Sequence, residues 1–143
     1  MQPDHPDLGR FVRGEIPAAD FPHREHVRMA FEMLRRHDFA ETVLHYSRAL
    51  RAMTAKAGKP KAFHQTITIA FLAVISERME QRRLGGAAED FTAFARGNPD
   101  LFEKSVLTRW YGRERLTSEA ARRTFLLPEP SPRHSPQPCQ RGE

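Results

Sequence analysis

The stretch from about Phe63 to Arg83 is apolar nearly all round through its middle, and it limits the fold more than any other part of the chain. A helix without a polar face cannot lie on a surface, so other elements must enclose it. Its unbroken apolar run, Ile69 to Ile75, is the longest in the sequence and far short of the ~20 residues that span a bilayer. The β-branched start, Thr66-Ile67-Thr68-Ile69, would suit a strand, but the segment's length and the Gly85-Gly86 stop favour a helix.

The flanking sequence supplies amphipathic partners for this centre. Pro22, suited to a first helical position, opens a segment to about His37 in which Val27, Ala30, Phe31 and Leu34 form an apolar stripe at helical spacing. Asp38 is placed to cap a second helix, with Glu41 three residues on as in a capping box. That helix carries Phe39, Val43, Leu50 and Met53 inward and ends before Gly58 and Pro60. A short fourth helix carries Phe91 and Phe94, and a fifth from Asn98-Pro99-Asp100 carries Leu101, Leu107 and Trp110. A last short helix runs from Thr117 or Ser118 through Arg123, with Phe125 to Leu127 packing back. No segment alternates over a strand length. The expected fold is all-α, a compact bundle of about five helices with a short final helix, spanning residues 20–127. Residues 1–19 read as weakly ordered, with Pro3, Pro6 and Pro17, and residues 128–143 as a disordered proline-rich tail.

Composition narrows the functional classes. A length of 143 residues suits one domain with a real core. Cys139 is the only cysteine, so neither an internal disulfide nor a thiolate metal cluster is available. Asp4, Asp7, Arg10, Arg13 and Glu15 fall in the first twenty residues with no apolar stretch among them, which is not the pattern of a secretory signal. A cytoplasmic protein without a membrane span is the expectation. The formal charge is +5, but 19 of the 23 basic residues are Arg and they are dispersed. Arg35-Arg36, Arg82-Arg83 and Arg122-Arg123 fall near expected helix ends, where cations suit the helix dipole. No basic arm interleaved with aromatic residues is present, which speaks against a nucleic-acid partner.

Three histidines carry the chemical signal. His23 and His26 lie in Phe21-Pro22-His23-Arg24-Glu25-His26, and His64 opens Phe63-His64-Gln65-Thr66-Ile67-Thr68. On a helix His23 projects with Val27, Ala30 and Leu34, His26 flanks that stripe, and His64 shares a face with Ile67, Thr68, Phe71 and Ile75. Imidazoles that continue an apolar stripe must be hydrogen-bonded, bound to metal or used in proton transfer, because an unpaired buried ring is costly. If the loop near Gly58 to Ala62 brings the two helix starts together, three nitrogens converge. Three neutral imidazoles suit Zn, Fe, Ni or Cu, with an open position for water or substrate. A dication there also needs a carboxylate, for which Glu25, Glu32 and Glu77 are candidates, while Thr66 and Thr68 are placed to support a ring. The alternative is that each ring is a structural hydrogen-bonding group. His37 and His45 read as solvent-facing or helix-end residues.

Two further groups stand out. Trp110-Tyr111 with Arg109, Arg113 and Arg122 read either as an anion pocket or as end-of-bundle packing with arginines paired to Glu114 and Glu119. Glu77-Arg78 reads either as an ion pair reaching the site or as the point where the central helix meets solvent.

With these residues laid out, the chain resembles a family of small uncharacterised bacterial proteins. The shared pattern is Phe-x-His-x-x-His, then aromatic-His-x-Thr-x-Thr, then Tyr-x(4)-Leu-x-Ser-x(2)-Ala-Arg and a proline-ended apolar stretch. Here these are Phe21 to His26, Phe63 to Thr68, Tyr111 to Arg122 and Phe125 to Pro128. Phe63 stands where the pattern has Tyr, and Gly112 where it has Ser. The resemblance implies a unit containing the three histidines, Thr66, Thr68, Tyr111, Ser118 and Arg122, and it carries no activity with it.

Two functional expectations follow. In the first, the histidine cluster binds one transition-metal ion or a small polar ligand, with enzymatic activity left open; Thr66, Thr68, Glu77, Tyr111 and Arg122 support it. In the second, the chain is a non-catalytic helical interaction module, such as a homodimer, with structural histidines.

Overall fold

The computed structural model describes residues 6–86 and 90–129. Seven α-helices are present among them: α1 (Pro6–Val12), α2 (His23–Arg36), α3 (Phe39–Lys56), α4 (Gln65–Leu84), α5 (Phe91–Gly97), α6 (Arg113–Leu116) and α7 (Glu119–Arg123). Short 3-10 turns link them at Ala18–Asp20, Pro60–Ala62, Pro99–Phe102 and Val106–Arg109, and no strand occurs among the described residues. The fold is all-α, as the sequence predicts.

The three long helices α2, α3 and α4 pack against one another, and α7 lies on α4. The central segment behaves as its composition requires: Ala70, Phe71, Leu72 and Ile75 of α4 are buried, the last two fully. Around them Val27, Met29, Ala30 and Phe31 of α2 and Tyr46, Ala49 and Met53 of α3 complete the core. Local chemistry sets the boundaries. The Asp38 carboxylate accepts the Glu41 amide N–H at 2.8 Å and starts α3, which gives way to Gly58 at φ +76°. Asp90 and Ser118 cap α5 and α7 in the same way, accepting from Ala93 N at 3.0 Å and Ala121 N at 3.1 Å.

Three expectations change. Residues 6–12, placed outside the folded unit by sequence, form α1, and Phe11 is fully buried, stacked on Phe21 at 4.9 Å between centroids and tilted against Tyr46 at 5.2 Å. Two large apolar residues, Leu8 and Phe11, are enough to anchor a short helix when the core offers a socket. The expected fifth helix is instead a pair of 3-10 turns, because Pro99 and the compact run to Trp110 close i to i+3 bonds such as Val106 N–H to Glu103 O at 3.1 Å. A short helix not expected from the sequence, α6, precedes the expected final helix, which forms as α7 from its Ser118 cap to Arg123. Most of the expected proline-rich tail, and residues 1–5 of the N-terminal segment, lie outside the described residues.

Candidate functional site

The starts of α2 and α4 meet in space, and His23, His26 and His64 all line one half-open cavity of about 570 Å³. Its walls are mainly apolar, with Phe21, Leu50, Met53, Phe63 and Phe71 among them, and Thr68 and the Tyr46 ring add polar atoms. Among the described residues, Lys104 and Arg122 are the charged side chains in the lining, and no Asp or Glu is part of it.

The three rings are held differently. His64 is the N-cap of α4, one position before the helix it was expected to begin. Its Nδ1 accepts the Ile67 amide N–H at 3.1 Å, so that nitrogen is unprotonated. Its Nε2 lies 2.7 Å from the Leu116 carbonyl oxygen, which can only accept, so Nε2–H donates there. Both nitrogens of His64 are therefore in use, and the ring joins α4 to the end of α6. His23 Nε2–H donates to the Leu101 carbonyl at 2.9 Å, which leaves its Nδ1 as an acceptor. The ring also lies against Phe71, 5.2 Å between centroids.

His26 is the ring least tied to structure. It packs on Phe21 at 4.5 Å and lies 6.3 Å from His23, centroid to centroid. The Phe21 carbonyl lies close enough to favour a proton on the ring, and in the uncharged imidazole one nitrogen keeps its lone pair as an acceptor. Burial, more than any charge, pushes its pKa down to about 4, with His23 and Lys104 adding repulsion and the Phe21 carbonyl acting the other way. At neutral pH His26 is an uncharged imidazole. The backbone beneath it is fixed by Tyr46, whose buried hydroxyl donates to the His26 carbonyl at 2.9 Å and whose ionisation burial suppresses.

The metal expectation meets a fit test here. A shared ion needs three free nitrogens, and His64 has none to offer. No group of three or more His, Cys, Asp or Glu among the described residues is placed to hold a metal ion. The candidate carboxylates are engaged elsewhere or apart: Glu25 pairs with Arg28, Glu32 with Arg36 at 2.7 Å, and Glu77 lies on a separate groove of about 340 Å³. As placed, these residues do not fit a three-histidine centre.

The other candidates divide in two. Thr68 and Arg122 line the cavity with the histidines, and an Arg122 guanidinium N–H donates to the Lys61 carbonyl at 2.8 Å. Thr66 is fully buried but supports no imidazole. Its hydroxyl donates to Thr124 O at 2.8 Å and accepts Leu126 N–H at 3.0 Å, pinning the chain after α7 onto α4. Tyr111 serves the same segment, donating to Leu126 O at 2.8 Å, and burial raises its pKa. The residues the motifs group together thus either line the cavity or tie down the segment that carries Arg122. Of the arginines read as an anion pocket with Trp110 and Tyr111, Arg109 pairs with Asp100 at 2.9 Å and Arg122 lies on the histidine cavity; Arg78, read with Glu77, also pairs with Asp100 at 2.9 Å.

Two lining residues, Tyr46 and Lys104, were missed by sequence reasoning. Tyr46 falls between Val43 and Leu50 on the inner stripe of α3, so helical spacing does mark it. Lys104 lies in the non-helical stretch between two 3-10 turns, where periodicity says nothing. No family model, curated protein or solved structure matches this chain, so the reading of the site rests on its own residues.

Proposed function

We propose that the protein binds a small organic molecule with a polar hydrogen-donating group in the cavity between the starts of α2 and α4. His26 is the principal acceptor. The observation that carries this is the state of the three rings: one fully committed to backbone, and two with a lone pair left over, all lining a single cavity of about 570 Å³. That volume is in the range of sites for small ligands, and the mix of apolar walls with a few polar groups is how such sites fix orientation. Of the two ligands the sequence raised, the organic one is favoured over the metal ion, since the third imidazole is already bonded at both nitrogens.

The same arrangement has catalytic capacity. A neutral imidazole next to an apolar wall is a proton acceptor, and the Tyr46 bond to the His26 backbone holds it in place. The reading of the histidines as structural groups fits His64, bonded at both nitrogens, and does not account for the cavity that the three rings line.

The test uses 2-naphthol, a neutral bicyclic alcohol, and Zn²⁺ as separate probes in NMR titrations at neutral pH. The expected result is saturable 2-naphthol binding that shifts the His26 and Phe71 resonances and weakens at least fivefold in His26→Phe. One tightly bound Zn²⁺ per chain, lost in His64→Ala, would reinstate the metal centre and reject this reading. So would the absence of any saturable response to 2-naphthol.

A further inference from the structure

We infer that the cavity's ligand is an anion, specifically an apolar-bodied carboxylate whose head group meets Lys104 and Arg122; the inference rests on the ligand-binding reading above. Several arginines have acidic partners: Arg28 contacts Asp7 and Glu25, Arg35 and Arg36 share Glu32, and Arg78 and Arg109 share Asp100. Others, such as Arg51 and Arg115, donate to neutral oxygens instead. Lys104 and Arg122 likewise have no acidic partner among the described residues; both line the cavity, and no described carboxylate does. The bond from Arg122 to the Lys61 carbonyl orients the guanidinium without neutralising it.

The imidazoles do not supply the missing counter-charge. His26 is held neutral, and His23 and His64 both donate to backbone carbonyls. A carboxylate also has no proton to give to the acceptor nitrogen of His26. The carboxylate is therefore assigned to the cations of the lining, and a hydroxyl or amine on the ligand body to His26. The walls fix the rest: Phe21, Leu50, Met53, Phe63 and Phe71 suit a ring or short chain as that body. The mainly apolar walls offer few further donors for the additional oxygens of a phosphate, which favours a carboxylate as the head group.

The experiment compares 2-naphthol with 6-hydroxy-2-naphthoate, which adds a carboxylate to the same body, by calorimetry at low ionic strength and neutral pH. The expected result is at least tenfold tighter binding of the hydroxynaphthoate, most of it lost in 0.5 M NaCl. Lys104→Gln should remove most of the carboxylate's advantage over 2-naphthol. Lys104 is exposed, so its loss spares the core, and Arg122→Gln provides a second, independent removal of charge. If 2-naphthol binds as tightly as the hydroxynaphthoate, the anion inference is overturned and the cavity reading stands. If neither binds saturably, both are overturned.

Discussion

Acidification should destabilise this protein through one identifiable group. His26 has a pKa near 4 in the folded chain against 6.5 for an unperturbed side chain. Its folded-state value is depressed, so below pH 6.5 the unfolded chain binds a proton that the native chain refuses. Stability is then fully present above pH 6.5 and is lost as the pH falls toward 4, where the native ring also protonates. Integrated over that 2.5-unit gap, at 1.36 kcal/mol per unit, the loss is about 3 kcal/mol, and about 2.5 kcal/mol of it is reached by pH 4.5. This is large beside the total stability of roughly 5–15 kcal/mol typical of a domain. The cause is mainly burial against Phe21, with His23 and Lys104 as the positive neighbours and the Phe21 carbonyl as the opposing group. The assay is urea unfolding at pH 7.5, 6.0 and 4.5 for the wild type and His26→Gln. Titration of the remaining groups is common to both proteins, so the difference in slope isolates His26. Equal slopes, or an NMR titration of the His26 ring with a midpoint above pH 6, would refute the reasoning.

Three other outcomes follow from named contacts. His64→Ala should cost about 2 kcal/mol, one part from the lost cap on Ile67 N–H and one from the Leu116 carbonyl left without its donor. His64→Asn, which can still cap, should recover about half; equal losses in urea unfolding would show that capping is not its role. Thr66→Val keeps the shape but strands Thr124 O and Leu126 N–H, costing about 2–3 kcal/mol and speeding proteolysis after Arg123, whereas an unchanged melting temperature would disprove that tether. Phe11→Ala should cost about 3–5 kcal/mol by opening a cavity between Phe21 and Tyr46. A loss under 1 kcal/mol would mean α1 contributes little to the fold.

The sequence made the helices legible where hydrophobic period and cap agreed. Asp38 with Glu41, the stripe of α2 and the apolar middle of α4 each carried two concordant signals, and each sits where expected. It misled where a signal was single. Phe11 is one large residue in a polar, proline-containing stretch, and only the socket formed by Phe21 and Tyr46, distant in sequence, makes it core. The stretch from Pro99 to Trp110 contains apolar residues at helical spacing, such as Leu107 and Trp110, but period alone does not separate an α-helix from successive 3-10 turns. For the site, spacing brought the three histidines to the correct helix starts. It could not foresee that His64 would be a cap, because a one-residue shift in the start of α4 converts a face residue into a ring bonded at both nitrogens.

That shift bears on which ligand the cavity suits, and charge decides further. Imidazole count alone favours a metal, yet a dication is stabilised by anionic neighbours, and the charged side chains in this lining are Lys104 and Arg122. At an effective dielectric constant of 20, a +2 ion 10 Å from one such cation is opposed by about 3 kcal/mol. A single negative charge at that distance is instead favoured by about half as much per cation, before any direct hydrogen bond forms. The depressed pKa of His26 belongs to the same balance. Burial is the main cause, and the lesser part, repulsion from His23 and Lys104, opposes a metal ion there as it opposes a proton; a bound carboxylate would relax that part. Loading the cavity with 6-hydroxy-2-naphthoate should therefore raise the midpoint of the His26 titration, while 2-naphthol, which brings no charge, should leave it unmoved or lower it through added burial.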